Sequence, residues 1–216
     1  MNPISIIATV ISIIAFLISI SCHEFAHGYV AYLLGDPTAK NSGRMTLNPI
    51  KHFDLISILF FIVFKFGWAK GVPINPNYFK DRKKGMVLTA LAGPFTNILL
   101  AFISAVILRF FPETTTAGEF VYYVLMFSYY FFSYMLSINT MLAIFNLIPI
   151  PPLDGSKVFF AVFPDEIYYR ILSYDRFMIF IVLILVYAGV LDKIIMTGAN
   201  NLAEILSNFA RIITFG

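Results

Sequence analysis

The chain has 216 residues, 59% of them hydrophobic and 12% charged, with a mean hydropathy of +0.83. Soluble domains carry roughly 25% charged and about 45–50% apolar residues, so this is the composition of a multi-spanning membrane protein with no room for a soluble domain. A single cysteine excludes an intrachain disulfide framework and a cysteine-rich zinc site, and a net charge of +3 gives no reason to expect a nucleic-acid partner.

Residues 4–34 form one long apolar stretch, ended by the breaker-rich "GDPTAKNSG". The stretch has no basic n-region and no small-residue cleavage site, so it is expected to be a retained transmembrane helix rather than a signal peptide. Residues 35–54 are polar. "LISILFFIVF" (55–64) is apolar but too short for a span, which needs about 20 residues, so a re-entrant or half-membrane element is expected there. Basic residues surround "GVPINPNYF" in 65–85. A second span is expected over 86–111, a third over about 119–147, and a fourth, shorter one over 177–191. The tail 192–216 has apolar residues at helical spacing and reads as an amphipathic helix, at the interface or packed on the bundle.

The expected fold is therefore all-α and multi-spanning, with about four transmembrane helices, a re-entrant element and a single domain over 1–216. Segments 35–85 and 157–176 hold nearly all the lysines and arginines, and loop 112–118 holds none. The positive-inside rule then places the N-terminus outside, 35–85 and 149–176 in the cytoplasm, and 112–118 outside.

The first span ends in "HEFAH" (23–27). Residues four apart on a helix share a face, so His23 and His27 can grip one metal ion. Glu24 beside them can serve as general base toward an attacking water. Helical rise puts His23 about 16 Å in from the helix end near Leu34, inside the bilayer but nearer the cytoplasmic side. Three ionisable groups in five membrane-embedded residues need mutual compensation, and a divalent cation supplies it.

Zinc requires a third protein ligand and an open fourth position. Leu33 rules out the HExxHxxGxxH pattern, and His52 is the one other histidine, in a basic loop where packing is its ordinary role. Among the acids Asp154 stands out, at the end of "NLIPIPPLDG". Pro149, Pro151 and Pro152 force non-helical backbone there, tolerated at membrane depth only when buried in protein or lining a cavity. Alone, Asp154 would read as a helix cap; the histidines favour a ligand.

"HEFAH", "AGPFTN" (92–97) and "NLIPIPPLDG" (146–155), in that order, resemble the site-2 protease family of intramembrane zinc metalloproteases. The likeness extends to "GRMTLNP" (43–49) and "FGWAKGVPINP" (66–76), and covers roughly residues 15–165. The resemblance implies one zinc held by His23, His27 and Asp154, with Glu24 as catalytic acid/base. It also implies that Asn146 helps to hold the reacting carbonyl or the substrate. No PDZ or CBS module is expected, so the chain resembles a minimal member. "HFDLIS" (52–57) departs from the more usual Asp-Pro form.

Two further groups bear on substrate. Asn97 either bonds across helices or lines the site. The segment containing Gly71, Val72, Pro73, Ile74 and Asn75 is expected to form a short extended strand, because Pro73 and Pro76 cannot lie inside a helix and proline is compatible with an edge strand. Such an edge can pair with an opened substrate. The expected function is zinc-dependent hydrolysis of membrane-spanning protein substrates near the cytoplasmic side of the cell membrane. The alternatives are a metal-ion transporter, which needs sites along a path where the sequence offers one cluster, and a metal-binding scaffold, which has no need of Glu24.

Overall fold

The structure, a computed structural model, describes residues 3–52, 70–112 and 118–215. The half-membrane element expected at 55–64 lies outside the described residues, as does most of "HFDLIS". Helix α1 (Pro3–Leu33) has 31 residues. At 1.5 Å per residue it is about 46 Å long, more than the roughly 30 Å of a bilayer core. It stops at Gly35, whose φ of +104° suits glycine, and the Asp36 N–H closes back onto the Ala31 carbonyl at 2.9 Å. A short helix α2 (Thr38–Asn41) follows.

Helix α3 (Arg82–Leu108) starts at Asp81, whose carboxylate accepts from the Lys84 N–H at 3.0 Å. Such a cap is worth about 1 kcal/mol. Helix α4 (Glu119–Leu147) ends where the proline run begins. Helices α1, α3 and α4 pack against one another. Their contacts are built from small buried residues, among them Ala15, Ala31, Ala90, Ala101, Ala105 and Ala143. Small side chains let helix backbones approach closely in a membrane, where burying apolar surface gives little driving force. Ile6, Val10, Ile13 and Ile14 are exposed along α1, as lipid-facing residues would be.

After the prolines come α5 (Asp154–Phe159), α6 (Asp165–Leu172), α7 (Asp175–Tyr187) and α8 (Asp192–Phe215). Gly155 sets the position of α5. A Cβ there would lie 2.2 Å from the Leu147 carbonyl oxygen and 2.8 Å from that of Ile148. Only a glycine lets the start of α5 rest on the end of α4, and Asp154 is carried in by that contact.

Two expectations are revised. Among the described residues, three helices are long and apolar enough to cross a membrane, Ser5–Leu33, Arg82–Leu108 and Glu119–Leu147. The expected fourth span is a 13-residue helix ended by Gly189 at φ +70°. It is bent by 81° from α8, so a fourth crossing exists only if that bent pair is one span. The amphipathic tail helix is present as α8, and it packs on α3 and α4. Gly198 sits against Ile144, and the rings of Phe102 and Phe209 lie 5.6 Å apart.

The second revision concerns the strand. Among the described residues there is no strand. Residues 70–75 are non-helical backbone; the Lys70 N–H donates to the His52 carbonyl at 2.7 Å, and beyond that, among the described residues, side chains take bonds that a neighbouring strand would make. Glu24 Oε2 accepts from the Val72 N–H at 2.9 Å. Asp36 Oδ2 accepts from the Asn75 N–H at 2.7 Å. Arg44 Nη2 donates to the carbonyls of Lys70 and Gly71.

Candidate metal centre and active site

His23 and His27 lie one turn apart on α1, and α5 brings Asp154 to them. Three candidate ligand atoms converge: His23 Nε2 to His27 Nε2 is 3.0 Å, His27 Nε2 to Asp154 Oδ2 is 3.0 Å, and His23 Nε2 to Asp154 Oδ2 is 3.3 Å. Ligands about 2.0 Å from a tetrahedral zinc stand about 3.3 Å from one another. All three side chains are buried.

The opposite ring atoms decide what those nitrogens can do. His23 Nδ1 lies 2.6 Å from Asn97 Oδ1, and His27 Nδ1 lies 2.7 Å from the Thr89 carbonyl oxygen. Both partners are acceptors, so each imidazole carries its proton on Nδ1 and turns a lone pair inward on Nε2. Two such lone pairs and a carboxylate oxygen within 3.3 Å repel one another unless a cation lies between them. The donor set therefore fits zinc, which takes imidazole nitrogen and carboxylate oxygen. Lys157 Nζ binds Asp154 Oδ1 at 3.1 Å, which leaves Oδ2 for the shared position.

Gly93 forms the floor. A Cβ on it would lie 2.4 Å from His23 Cε1, 2.5 Å from His27 Nε2 and 2.6 Å from His23 Nε2. The backbone of α3 thus comes directly against the Nε2 edges of both rings. Pro94 follows inside the helix, where it has no N–H for the Ala90 carbonyl.

The remaining expected residues are distributed as follows. Glu24 is buried beside the His23–His27–Asp154 cluster, its carboxylate accepting from the Val72 N–H of the 70–75 segment. Gly71 lies within 3.9 Å of the same oxygen, measured from where its Cβ would stand. Pro73 and Ile74 continue the segment toward Asn75, whose N–H is held by Asp36. Asn97 is fully buried and bonds across helices, behind His23. Asn146 turns its amide back to the Leu142 carbonyl at 2.9 Å on its own helix. His52 is fully buried in the loop after α2, with Nε2 2.7 Å from the Thr46 carbonyl oxygen, outside the three-residue cluster.

Sequence reasoning missed Asp36, Arg44, Thr89 and Lys157. Asp36 precedes a proline and reads as a turn residue; its complete burial, with the Thr38 and Asn75 N–H groups on its carboxylate, was the signal only structure could supply. Lys157 stands three residues after Asp154, a spacing that brings side chains together on a helix and was available in the sequence.

Peptidase family M50 matches residues 11–128 and 123–189 of the chain. YwhC of Bacillus subtilis is 36% identical over 202 residues, 90% of each chain. MJ0611 of Methanocaldococcus jannaschii is 32% identical over 154 residues, 71% of each chain. Rip2 of Mycolicibacterium smegmatis is 30% identical over 161 residues, 71% of this chain and 58% of that protein. Each of the three is named a putative zinc metalloprotease. No solved structure matches. With its histidine pair, its proline-borne aspartate and a family match that spans most of its length, the chain belongs to peptidase family M50, the site-2 protease family that its motifs resemble.

Proposed function

We propose that this protein is a zinc-dependent intramembrane endopeptidase that hydrolyses peptide bonds of membrane-spanning protein substrates near the cytoplasmic side, in regulated intramembrane proteolysis. The observation that carries the reading is the convergence of His23, His27 and Asp154 on one point inside a bundle of membrane-length helices, with Glu24 beside it. These three residues hold one zinc per chain. Bound there, zinc supplies Lewis acidity toward the scissile carbonyl and water activated at neutral pH. Glu24 takes the proton from the attacking water and returns it to the leaving amine. Asn146 donates to the reacting carbonyl after leaving the Leu142 oxygen.

A transmembrane substrate hides its peptide bonds in its own helix, so it must be opened before it is cut. Residues 71–75 offer the edge for this. Their frame comes from Glu24, Asp36 and Arg44 rather than from a sheet, which leaves a backbone edge to pair with an extended substrate.

The test is made on purified protein in detergent, with a membrane-spanning peptide as substrate. The expected result is about one zinc per chain, as a three-ligand catalytic site holds, and cleavage that a chelator stops. His23→Ala, His27→Ala and Asp154→Ala each lose zinc and cleavage, and His52→Ala keeps both. In the same assay a proline or glycine near the scissile bond speeds cleavage, because it lowers the cost of opening the helix. Zinc retained by Asp154→Ala but lost by His52→Ala would replace the third ligand.

The lysine and arginine distribution supports an external N-terminus and a cytoplasmic segment 70–85. A reporter fused after Lys83 should read cytoplasmic, and one after Pro112 external. The reverse readings would place the centre toward the opposite leaflet.

A further inference from the structure

We infer that Asn139, which lies outside the metal-binding set, fixes the tautomer of His23 through Asn97 and is a positioning residue for the metal centre. The inference rests on the zinc reading given above. Ser19 of α1, Asn97 of α3 and Asn139 of α4 are all fully buried, in three apolar helices. Polar groups inside a membrane bundle must find partners within it. Here the bonds form a line that ends on a metal ligand, and the line has a direction.

The direction is set at its far end. The Ser19 hydroxyl donates its one proton to the Ala15 carbonyl at 2.7 Å, so its oxygen is an acceptor toward α4. Asn139 Nδ2 donates to that oxygen at 2.8 Å and to the Met135 carbonyl at 2.8 Å. With its nitrogen facing two acceptors, the Asn139 amide cannot flip without setting oxygen against oxygen. Its Oδ1 must therefore face Asn97, and it accepts from Asn97 Nδ2 at 2.7 Å. That bond turns the Asn97 nitrogen toward α4 and its Oδ1 toward His23 Nδ1, 2.6 Å away. An acceptor at Nδ1 keeps the proton there and leaves the Nε2 lone pair for the metal. Two helical carbonyls, of Ala15 and Met135, thus decide which nitrogen of His23 is free.

Without Asn139 the Asn97 amide has no reason to prefer one orientation. Flipped, it offers Nδ2 to the ring, His23 Nδ1 becomes the acceptor, and the proton moves to Nε2, where it blocks ligation. Two variants separate this role from simple packing. Asn139→Leu removes the acceptor for Asn97. Asn139→Asp, neutral in so apolar a place, keeps an oxygen for Asn97 and an O–H for Met135 or Ser19, so the line keeps its direction.

The readouts are zinc affinity by competition with a chelator and ring ¹⁵N shifts of the metal-free protein labelled on histidine. The chain has three histidines, so the three rings can be assigned by deletion. Asn139→Leu should bind zinc about 10–100-fold more weakly, the range for loss of an outer-shell partner. Its His23 signals should show a mixture of tautomers. Asn139→Asp should bind zinc close to wild type, with the Nδ1-protonated form of His23 retained. Equal weakening in both variants, or unchanged affinity and tautomer in Asn139→Leu, overturns the inference while the zinc reading stands. A wild-type chain that binds no zinc overturns both.

Discussion

Gly93→Ala should empty the metal centre while leaving the helical bundle assembled. The added methyl would stand 2.4–2.6 Å from His23 Cε1, His23 Nε2 and His27 Nε2, far inside the 3.5–4.0 Å at which nonbonded carbon atoms rest. Neither ring can turn aside freely. Each is held at Nδ1, one by Asn97 Oδ1 and the other by the Thr89 carbonyl. Relief must come from α3 moving away from α1 or from one of those bonds breaking, and either change separates the ligand atoms. Overpacking of this kind costs typically 1–3 kcal/mol of stability, so unfolding should shift modestly. Zinc binding should fall by about 100-fold or more, since the methyl occupies part of the coordination space as well as disturbing an outer-shell bond. Zinc per chain beside helicity and thermal unfolding checks this. A fully loaded Gly93→Ala chain would show that α3 does not floor the site.

Gly93 also shows where the sequence was legible and where it was not. The spacing of His23 and His27 fixes their common face once a helix is granted, because helix periodicity is local information. The breaker run after Leu34 and the prolines after Ile148 likewise mark real helix ends. Asp154 is 127 positions beyond His27, and nothing local joins them; the proline run beside it and the need for a third ligand singled it out, and the family resemblance implied the same role. The approach of α3 to the imidazoles was hidden because a glycine in an apolar helix reads simply as a small packing residue. The strand expectation failed for a related reason. Two prolines do exclude a helix over 70–75, yet they cannot say whether the backbone pairs with another strand or with side chains. Here Asp36 and Arg44, distant in sequence, take the bonds. The fourth span rested on apolar length alone, which could not show that Gly189 turns the chain at φ +70° within it and that a crossing there needs the bent pair to act as one span. Asn139 was legible in principle, as an amide within "SINTM" inside a membrane-length helix.

Glu24→Gln should keep zinc, keep the 70–75 segment in place, and lose proteolysis. Glu24 lies outside the His23–His27–Asp154 ligand set, so metal content should match wild type. Its present bond is to the Val72 N–H, with the carboxylate oxygen as acceptor at 2.9 Å. Glutamine has the same length and still offers a carbonyl oxygen there, so the frame of the segment survives. What glutamine lacks is basicity. It cannot take a proton from the attacking water or return one to the leaving amine, and general acid–base catalysis of this kind contributes about 10²–10⁴-fold. Glu24→Ala makes the comparison sharper, because it removes the proton acceptor and the anchor of Val72 together. Cleavage should be lost in both variants, whereas association with a catalytically protected peptide substrate should weaken only in Glu24→Ala. The measurements are zinc content, cleavage of a membrane-spanning peptide, and peptide binding. Turnover by Glu24→Gln within a few-fold of wild type would remove Glu24 from the chemistry, and equal peptide binding by Glu24→Ala would remove it from the frame of the substrate edge.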